Sequence, residues 1–404
     1  MAEFDHLLTS REFEQSPYPT YHLLRREAPI YWSDLWGCWI LTRYREIVST
    51  LQNPRRFSSV GRMTAAMELP QAVREQVQPL VRHYSQGLIN VDPPDHTRMR
   101  KLVHKAFLPA TIAATAGYVE EIVERLIDEV RPRGRMDIIW DFSYPLPVTV
   151  IARLLGVPAA DHVKLKRWSG KIIEFMATPK PVPEVLLSSQ EALLALQDYF
   201  RSTFRRRRLE PRDDLISALV AAEEEGERLT EEELVSTCVT LLIGGHETTT
   251  YLISSGVLAL IQHPEQMRKL RADPEKAGTA VEEMLRYEGP FQRNRRLATE
   301  AVELDGHLIE KGQLVVQMLG AANRDPSVFP NPDSFDIERH PNRHVSFGQG
   351  PHFCVGAPLA RLEAPIAINA LLRRLPNLEL ATDELVWKNT VFRGLERLPV
   401  TFGA

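Results

Sequence analysis

Two short runs rich in aromatic and β-branched residues, PIYWS and CWILT, flank a polar break from Asp34 to Gly37 and predict the strands of a β-hairpin. A second hairpin is predicted in VELDGHLIEKGQLVVQML, where Asp305-Gly306 and Lys311-Gly312 separate short apolar runs. Most of the remaining pattern is helical. Asp92-Pro93-Pro94-Asp95 predicts a helix start with Asp92 as N-cap, leading into HTRMRKLVHKAF with His96 and Arg100 on one face. The longest apolar stretch, Leu234 to His263, follows a capping-box pair, Thr230 and Glu233, and closes at His263-Pro264. At about 1.5 Å per residue this helix spans roughly 45 Å. His246, Glu247 and three threonines interrupt its middle, so it reads as a long buried helix and not as a membrane span. From Asn323 to Gly356 the chain is crowded with Pro, Asn, Asp and Gly and predicts a long irregular loop, a feature that usually carries function. The expected fold is mainly α with a small β part (α+β), a single unit from 1 to 404 whose N-terminal part is β-rich.

Composition narrows the functional classes. The 404 residues are 44% hydrophobic and 25% charged, enough for a sizeable core. A formal charge of -4 from 49 basic and 53 acidic residues gives no net field for nucleic acid or an anionic membrane. Cys38, Cys238 and Cys354 are too few and too far apart for a disulfide scaffold and suit a reducing compartment. The first residues carry acids where an export signal needs a basic start and an apolar run. A cytoplasmic monomer without nucleic-acid or membrane partners is expected.

Three segments stand out chemically. In FGQGPHFCVG, Cys354 sits in a glycine-punctuated turn before the helical pattern PLARLEAPIAINALLRRL, where N–H groups and the helix dipole favour a thiolate and lower its pKa. A lone cysteine is more often a small buried apolar residue. A zinc site has too few ligands, since His352 and Cys354 have no CxxC pair beside them. The run GGHETT, Gly244 to Thr249, places two glycines, each costing about 1 kcal/mol in a helix, beside a carboxylate among apolar neighbours. Thr248 can bond the Gly244 carbonyl and open a groove for a small ligand; a simple kink explains the glycines but not the acid-alcohol pair. Glu283 and Arg286 stand at i, i+3, a spacing usually found in solvated pairs worth about 0.3 to 0.5 kcal/mol.

Taken together, the three segments resemble the signature set of the cytochrome P450 superfamily, in particular its bacterial class I members. The F-x-x-G-x-x-x-C-x-G pattern is met by Phe347, Gly350, Cys354 and Gly356, the acid-alcohol pair by Glu247 and Thr248, and E-x-x-R by Glu283 and Arg286. The resemblance implies haem b lying between a long distal helix and a proximal cysteine loop, with Cys354 as iron ligand in a thiolate linkage that favours O–O cleavage. It implies Glu247 and Thr248 as catalytic proton-delivery residues beside Gly244, and His96, Arg100, Arg296 and His352 as haem-propionate contacts. Arg339 would complete a structural network with Glu283 and Arg286.

The implied reaction is insertion of one oxygen atom from O2 into a hydrophobic small molecule, with electrons from a ferredoxin and an NAD(P)H-dependent ferredoxin reductase. Arg98, Lys101, Lys105 and Arg361 are candidates for its docking patch. A peroxide-driven peroxygenase is an alternative that the acid-alcohol pair argues against, and a non-enzymatic haem sensor or electron carrier is another. Polyketide and fatty-acyl chains are the substrate classes suggested. The pocket is expected to be lined by the loop around Met63 to Ile89, including Leu88, and by Phe175, Met176, Thr240, Ile243, Val391 and Phe392. If QRNRR enters as a strand, alternation points Gln292, Asn294 and Arg296 toward haem and substrate and Arg293 and Arg295 away. Pro365, inside the helix after the cysteine, is a departure expected to free the Arg361 carbonyl.

Overall fold

The expected first hairpin forms in the computed structural model, which describes residues 3–63, 71–107, 109–177, 182–222, 226–389 and 392–403. Strand β1 (Ile30–Ser33) pairs antiparallel with β2 (Cys38–Leu41), Ser33 facing Cys38, and Gly37 takes the positive φ of +60° that the tight turn demands. The elements that follow and bear on the site are α1 (Tyr44–Gln52), β3 (Phe57–Ser58), α2 (Asp95–Ala106), α3 (Pro145–Leu154), α4 (His162–Ala177) and α5 (Pro183–Leu209). Next come α6 (Glu231–Gln262), α7 (Ala277–Glu288), β4 (Arg293–Ala298), β5 (Val302–Leu304), β6 (His307–Ile309), β7 (Leu314–Met318) and α8 (Ala357–Arg374). The architecture is mainly helical with small sheets, the α+β class read from the sequence.

One five-stranded sheet runs in the order β1-β2-β7-β4-β3 and joins the two ends of the chain: β2 pairs parallel with β7, and β4 antiparallel with β7 and β3. Asp305-Gly306 turns β5 into β6 with φ of 48° and 79°, and Gly312, at φ 84°, redirects the chain into β7. Apolar residues cover both faces of the sheet. Cys38, Ile40, Val316 and Met318 join one cluster with Tyr21, while Leu41, Val315 and Ala298 join another.

Helix α6 has the predicted capping box: Thr230 accepts from Glu233 N–H while the Glu233 side chain accepts from Thr230 N–H. Its 32 residues pack against α3, α5, α7 and α8. Close approach needs small residues at two crossings. A Cβ on Gly256 would lie 2.5 Å from Met284 Sδ, and one on Gly245 would lie 2.9 Å from Ile151 Cγ1. Among the described residues, no helix is long and apolar enough to cross a membrane.

One local expectation changes. Asp92 does not cap α2; its carboxylate is drawn to Ser58 and to Ser59 N–H at 2.9 Å, and only its carbonyl accepts from His96 N–H. The Glu283–Arg286 pair forms the expected structural network with Arg339. Both side chains are fully buried, Nε–Oε2 at 2.7 Å, and Arg339 Nε approaches the same carboxylate at 3.2 Å. Arg286 also donates to the carbonyls of Asn323, Pro332 and Ser334, which pins the irregular 323–349 segment to α7. Helix α8 runs through Pro365 without ending.

Candidate functional site

An internal cavity of about 340 Å³ lies between the middle of α6 and the loop that carries Cys354. It is lined on one side by Thr240, Ile243, Gly244 and Thr248, and on the other by Phe347, Gly348, Cys354 and Gly356. A wider surface cleft of about 790 Å³ lies beside α2, lined by Arg55, Thr97 and Lys101, and holds neither Cys354 nor the α6 groove.

The cysteine loop is shaped by its glycines. Gly348 and Gly350 take φ of 73° and 71°, and a Cβ on Gly350 would lie 2.8 Å from the Leu51 carbonyl at the end of α1, so only glycine lets the loop dock there. Cys354 N–H donates to the Phe347 carbonyl at 2.9 Å, which closes the turn ahead of α8. The thiol receives the N–H groups of Gly356 and Ala357 and faces Arg100 and Arg361. Burial nevertheless outweighs these donors and pushes the thiol above its ordinary pKa, so the lowered value expected from the helix terminus is not met in the protein alone.

Across the cavity, Thr248 Oγ1 donates to the Gly244 carbonyl at 2.7 Å, the helix-distorting bond anticipated from the spacing. A Cβ on Gly244 would meet nothing within 4 Å, so the missing side chain leaves open space. Glu247 does not share this space. Neighbouring helix positions point about 100° apart, and its carboxylate faces Tyr144, Tyr251 and Lys166, 3.8 Å from His246 Nε2.

A cationic rim surrounds the cavity beside the cysteine loop. His96 and His352 stack with ring centres 4.2 Å apart, and His96 Nε2 has no hydrogen-bond partner among the described residues. His352 Nε2 lies 3.1 Å from Ser59 Oγ; Arg100 donates to the Phe353 carbonyl at 2.5 Å. Arg62, which sequence reasoning missed because a lone arginine outside any motif gives no spacing signal, donates to Asn294 Oδ1 at 2.7 Å and to the Ile89 carbonyl at 2.9 Å. Burial, with repulsion from Arg296, lowers Arg62 to about 9; burial lowers Arg296 to about 10 and, with His352 and Arg100 opposing protonation, His96 to about 4. Asp92 is the carboxylate that faces Arg62, Arg296 and the two histidines. Three guanidiniums around one carboxylate are an excess of positive charge that an anionic ligand would balance, and the neutral imidazoles can donate to it.

Of the expected pocket residues, Leu88, Met176, Thr240, Ile243, Asn294 and Phe392 line the cavity. Phe175 does not: it packs behind Tyr84, ring centres 5.5 Å apart, and Tyr84 takes the place at the wall. Gln292 is also turned away. It precedes the first residue of β4, and its amide is held by the Gly289 carbonyl at 2.7 Å and the Tyr21 hydroxyl at 3.4 Å. Arg293 and Arg295 lie, as the alternation expected, on the other face of β4 from Asn294 and Arg296, opposite Met318 and Val316 and near Cys38. Val391 lies outside the described residues. Of the candidate docking cations, Arg98 is paired with Glu233 and Arg361 with Glu282.

The cytochrome P450 family pattern matches residues 35–278 and 276–390. The chain belongs to the cytochrome P450 family. It is similar to the biotin biosynthesis cytochrome P450 of Bacillus subtilis, 43% identical over 399 residues that cover 97% of this chain and 98% of that protein. The polyketide biosynthesis cytochrome P450 PksS of the same organism is 40% identical over 97% of each chain. A crystal structure of P450BioI in complex with hexadec-9Z-enoic acid ligated acyl carrier protein superimposes with a TM-score of 0.90 at 43% identity, covering 97% of this chain and 100% of that one. This cytochrome P450 is a monooxygenase, and its cofactor is haem b. The residues present fit that cofactor. Open space over Gly244 admits a flat ring, the sulfur of Cys354 faces the cavity, and the under-compensated rim with an unpartnered His96 nitrogen suits two propionates.

Proposed function

We propose that this cytochrome P450 inserts one oxygen atom of O2 into an aliphatic chain of fatty-acyl or polyketide type, using electrons from a ferredoxin and an NAD(P)H-dependent ferredoxin reductase in the cytoplasm. The observation that carries the reading is the placement of Cys354 and the Thr248 groove on opposite walls of one largely apolar cavity. Haem b, when bound, supplies the dioxygen chemistry, and the protein supplies position, protons and dryness.

Cys354 is assigned the iron. Two backbone N–H groups and two guanidiniums face its sulfur and would stabilise the thiolate that iron coordination requires. His96, Arg100, Arg296 and His352, with Arg62, hold the propionates; Phe347 and Gly350 shape the floor. Thr248 holds a proton donor at the cavity wall. Its hydroxyl is bonded to Gly244 at rest and can instead orient water above the haem position. Glu247, on the adjoining face of α6 among Tyr144, Tyr251 and Lys166, passes protons from outside to that hydroxyl. Leu88, Met176, Thr240, Ile243 and Phe392 hold the chain and exclude water.

The relatives' names concern fatty-acyl and polyketide chemistry, which supports the substrate class, and the complex with an acyl carrier protein makes a carrier-borne substrate a second form in which it can arrive. The test is spectroscopic. The reduced carbon-monoxide complex of the parent should show the long-wavelength band of thiolate-ligated haem, Cys354→His should abolish it, and Cys38→Ala and Cys238→Ala should keep it. A Cys354→His variant that retained the band would transfer the ligand to another residue.

A further inference from the structure

Threonines inside helices often return their hydroxyl to the carbonyl one turn back, and Thr149, Thr203 and Thr248 do so here, at 2.7, 3.0 and 2.7 Å. Thr237 does not. It lies near the N-terminal end of α6, is 1% exposed, and its Oγ1 has no hydrogen-bond partner among the described residues. Thr250 and Ser255 of the same helix are also enclosed without a partner, yet only Thr237 of the three belongs to the cavity wall. It shares that face of α6 with Thr240, Gly244 and Thr248. At about 1.5 Å per residue, Thr237 stands roughly 16 Å from Thr248 along the helix.

A second polar side chain meets the cavity at this end. His83 belongs to a short helix, Gln78–Gln86, that packs on α6. Gly87, one turn after His83, approaches α6 so closely that a Cβ there would run into the Ser236 hydroxyl. His83 is 8% exposed and lines the cavity, and its ring meets the adjacent Tyr84 edge-on without a hydrogen bond to any described residue. Burial alone lowers the imidazole to about 4, so at neutral pH it is uncharged and offers one N–H donor and one nitrogen acceptor. The threonine hydroxyl likewise donates and accepts. Enclosed polar groups without partners cost free energy. A neutral ligand group that both donates and accepts would satisfy them, whereas a carboxylate would bring an uncompensated charge to two uncharged side chains.

We propose that His83 and Thr237 form an uncharged polar subsite for a hydroxyl or amide of the substrate, so that the chain is held by a neutral end and oxidised at a carbon remote from it. The inference rests on the chain-substrate reading above and narrows it to chains that carry such a group. The chain then runs along α6 past Leu241 and Ile243 to the Thr248 groove.

The test is equilibrium binding by calorimetry to the haem-loaded enzyme, with tetradecanol, tetradecanamide, tetradecyl methyl ether and tetradecanoic acid as probes. The parent should bind the alcohol, the amide or both about tenfold more tightly than the ether, which cannot donate, and the acid, which is charged. Whichever of the two binds more tightly names the group. Thr237→Val should lose about fivefold for the preferred probe and nothing for the ether, Thr237→Ser should keep the preference, and His83→Leu should lose a similar factor that His83→Gln partly restores. In the substrate-free enzyme Thr237→Val should melt no lower than the parent, because it removes an enclosed hydroxyl without a partner. A clearly lower melting temperature would give the hydroxyl a structural partner and overturn the subsite. So would ether or acid bound as tightly as alcohol and amide, or a His83→Leu/Thr237→Val variant that keeps the preference. Binding of none of the four probes overturns the chain-substrate reading together with the subsite, and absence of the carbon-monoxide band in the parent removes the haem-thiolate assignment on which both stand.

Discussion

Thr248 and Glu247 are adjacent in the chain but sit in two different environments. The Thr248 hydroxyl lies at the cavity wall on the Gly244 carbonyl, while the carboxylate beside it is turned to Tyr144, Tyr251 and Lys166. If the hydroxyl orients the last water of the proton route, Thr248→Ala should leave haem spectra and substrate binding near those of the parent and NAD(P)H consumption running. Most of the electron flux should then leave as hydrogen peroxide, a positioned proton donor being worth about 10² to 10⁴ in rate. Full product yield per NAD(P)H in Thr248→Ala would remove the residue from the proton route. Both residues were legible in the sequence because an acid and an alcohol in a glycine-broken apolar helix are costly without a use. Their separate surroundings were not, since these depend on which elements pack against each face of α6.

Among the elements, α7 and the irregular segment that follows residues 319–322 are joined by one buried carboxylate. Glu283 accepts from Arg286, Arg339 Nε at 3.2 Å, Asn342 Nδ2 at 3.2 Å and Asp336 N–H at 2.9 Å. Removing its charge strands two buried guanidiniums, and breaking such pairs costs about 3 to 5 kcal/mol. Glu283→Gln should therefore unfold at a clearly lower denaturant concentration and release haem more readily, both measurable by following haem absorbance through a urea titration. An unchanged midpoint would mean that the backbone carbonyls alone hold Arg286 and Arg339. The spacing of Glu283 and Arg286 was visible in the sequence; that the pair is buried rather than solvated follows from a loop more than thirty residues downstream folding over it.

The stability of the whole molecule carries a pH signature from Glu363, a fully buried residue of α8 whose two carboxyl oxygens have no hydrogen-bond partner among the described residues. Burial pushes its pKa up to about 8 from an ordinary value near 4.5. The folded state thus keeps a proton that the unfolded chain gives up. Its contribution is fully present below pH 4.5, falls as pH rises toward 8, and levels off above that. Glu363→Gln should melt with the parent at pH 5 and several degrees above it at pH 9, as read by calorimetry of the haem-loaded protein. A parent and variant that track each other across this range would mean that Glu363 finds a partner in solution.

By itself the sequence determined the helical class, both hairpins, the capped 32-residue helix and the motif residues Cys354, Gly350, Thr248 and Glu283, because each rests on short-range chemistry: turn residues, caps, glycines and periodic burial. Tertiary structure alone decided the rest. Asp92 was drawn from the helix cap to Ser58 and Ser59, Phe175 was displaced from the wall by Tyr84, and Gln292 was taken by Tyr21 and Gly289. Arg62 became a cavity residue although no motif marks it. These outcomes depend on competition among polar groups and volumes brought together from distant parts of the chain, and a local pattern carries no information about which distant partner wins.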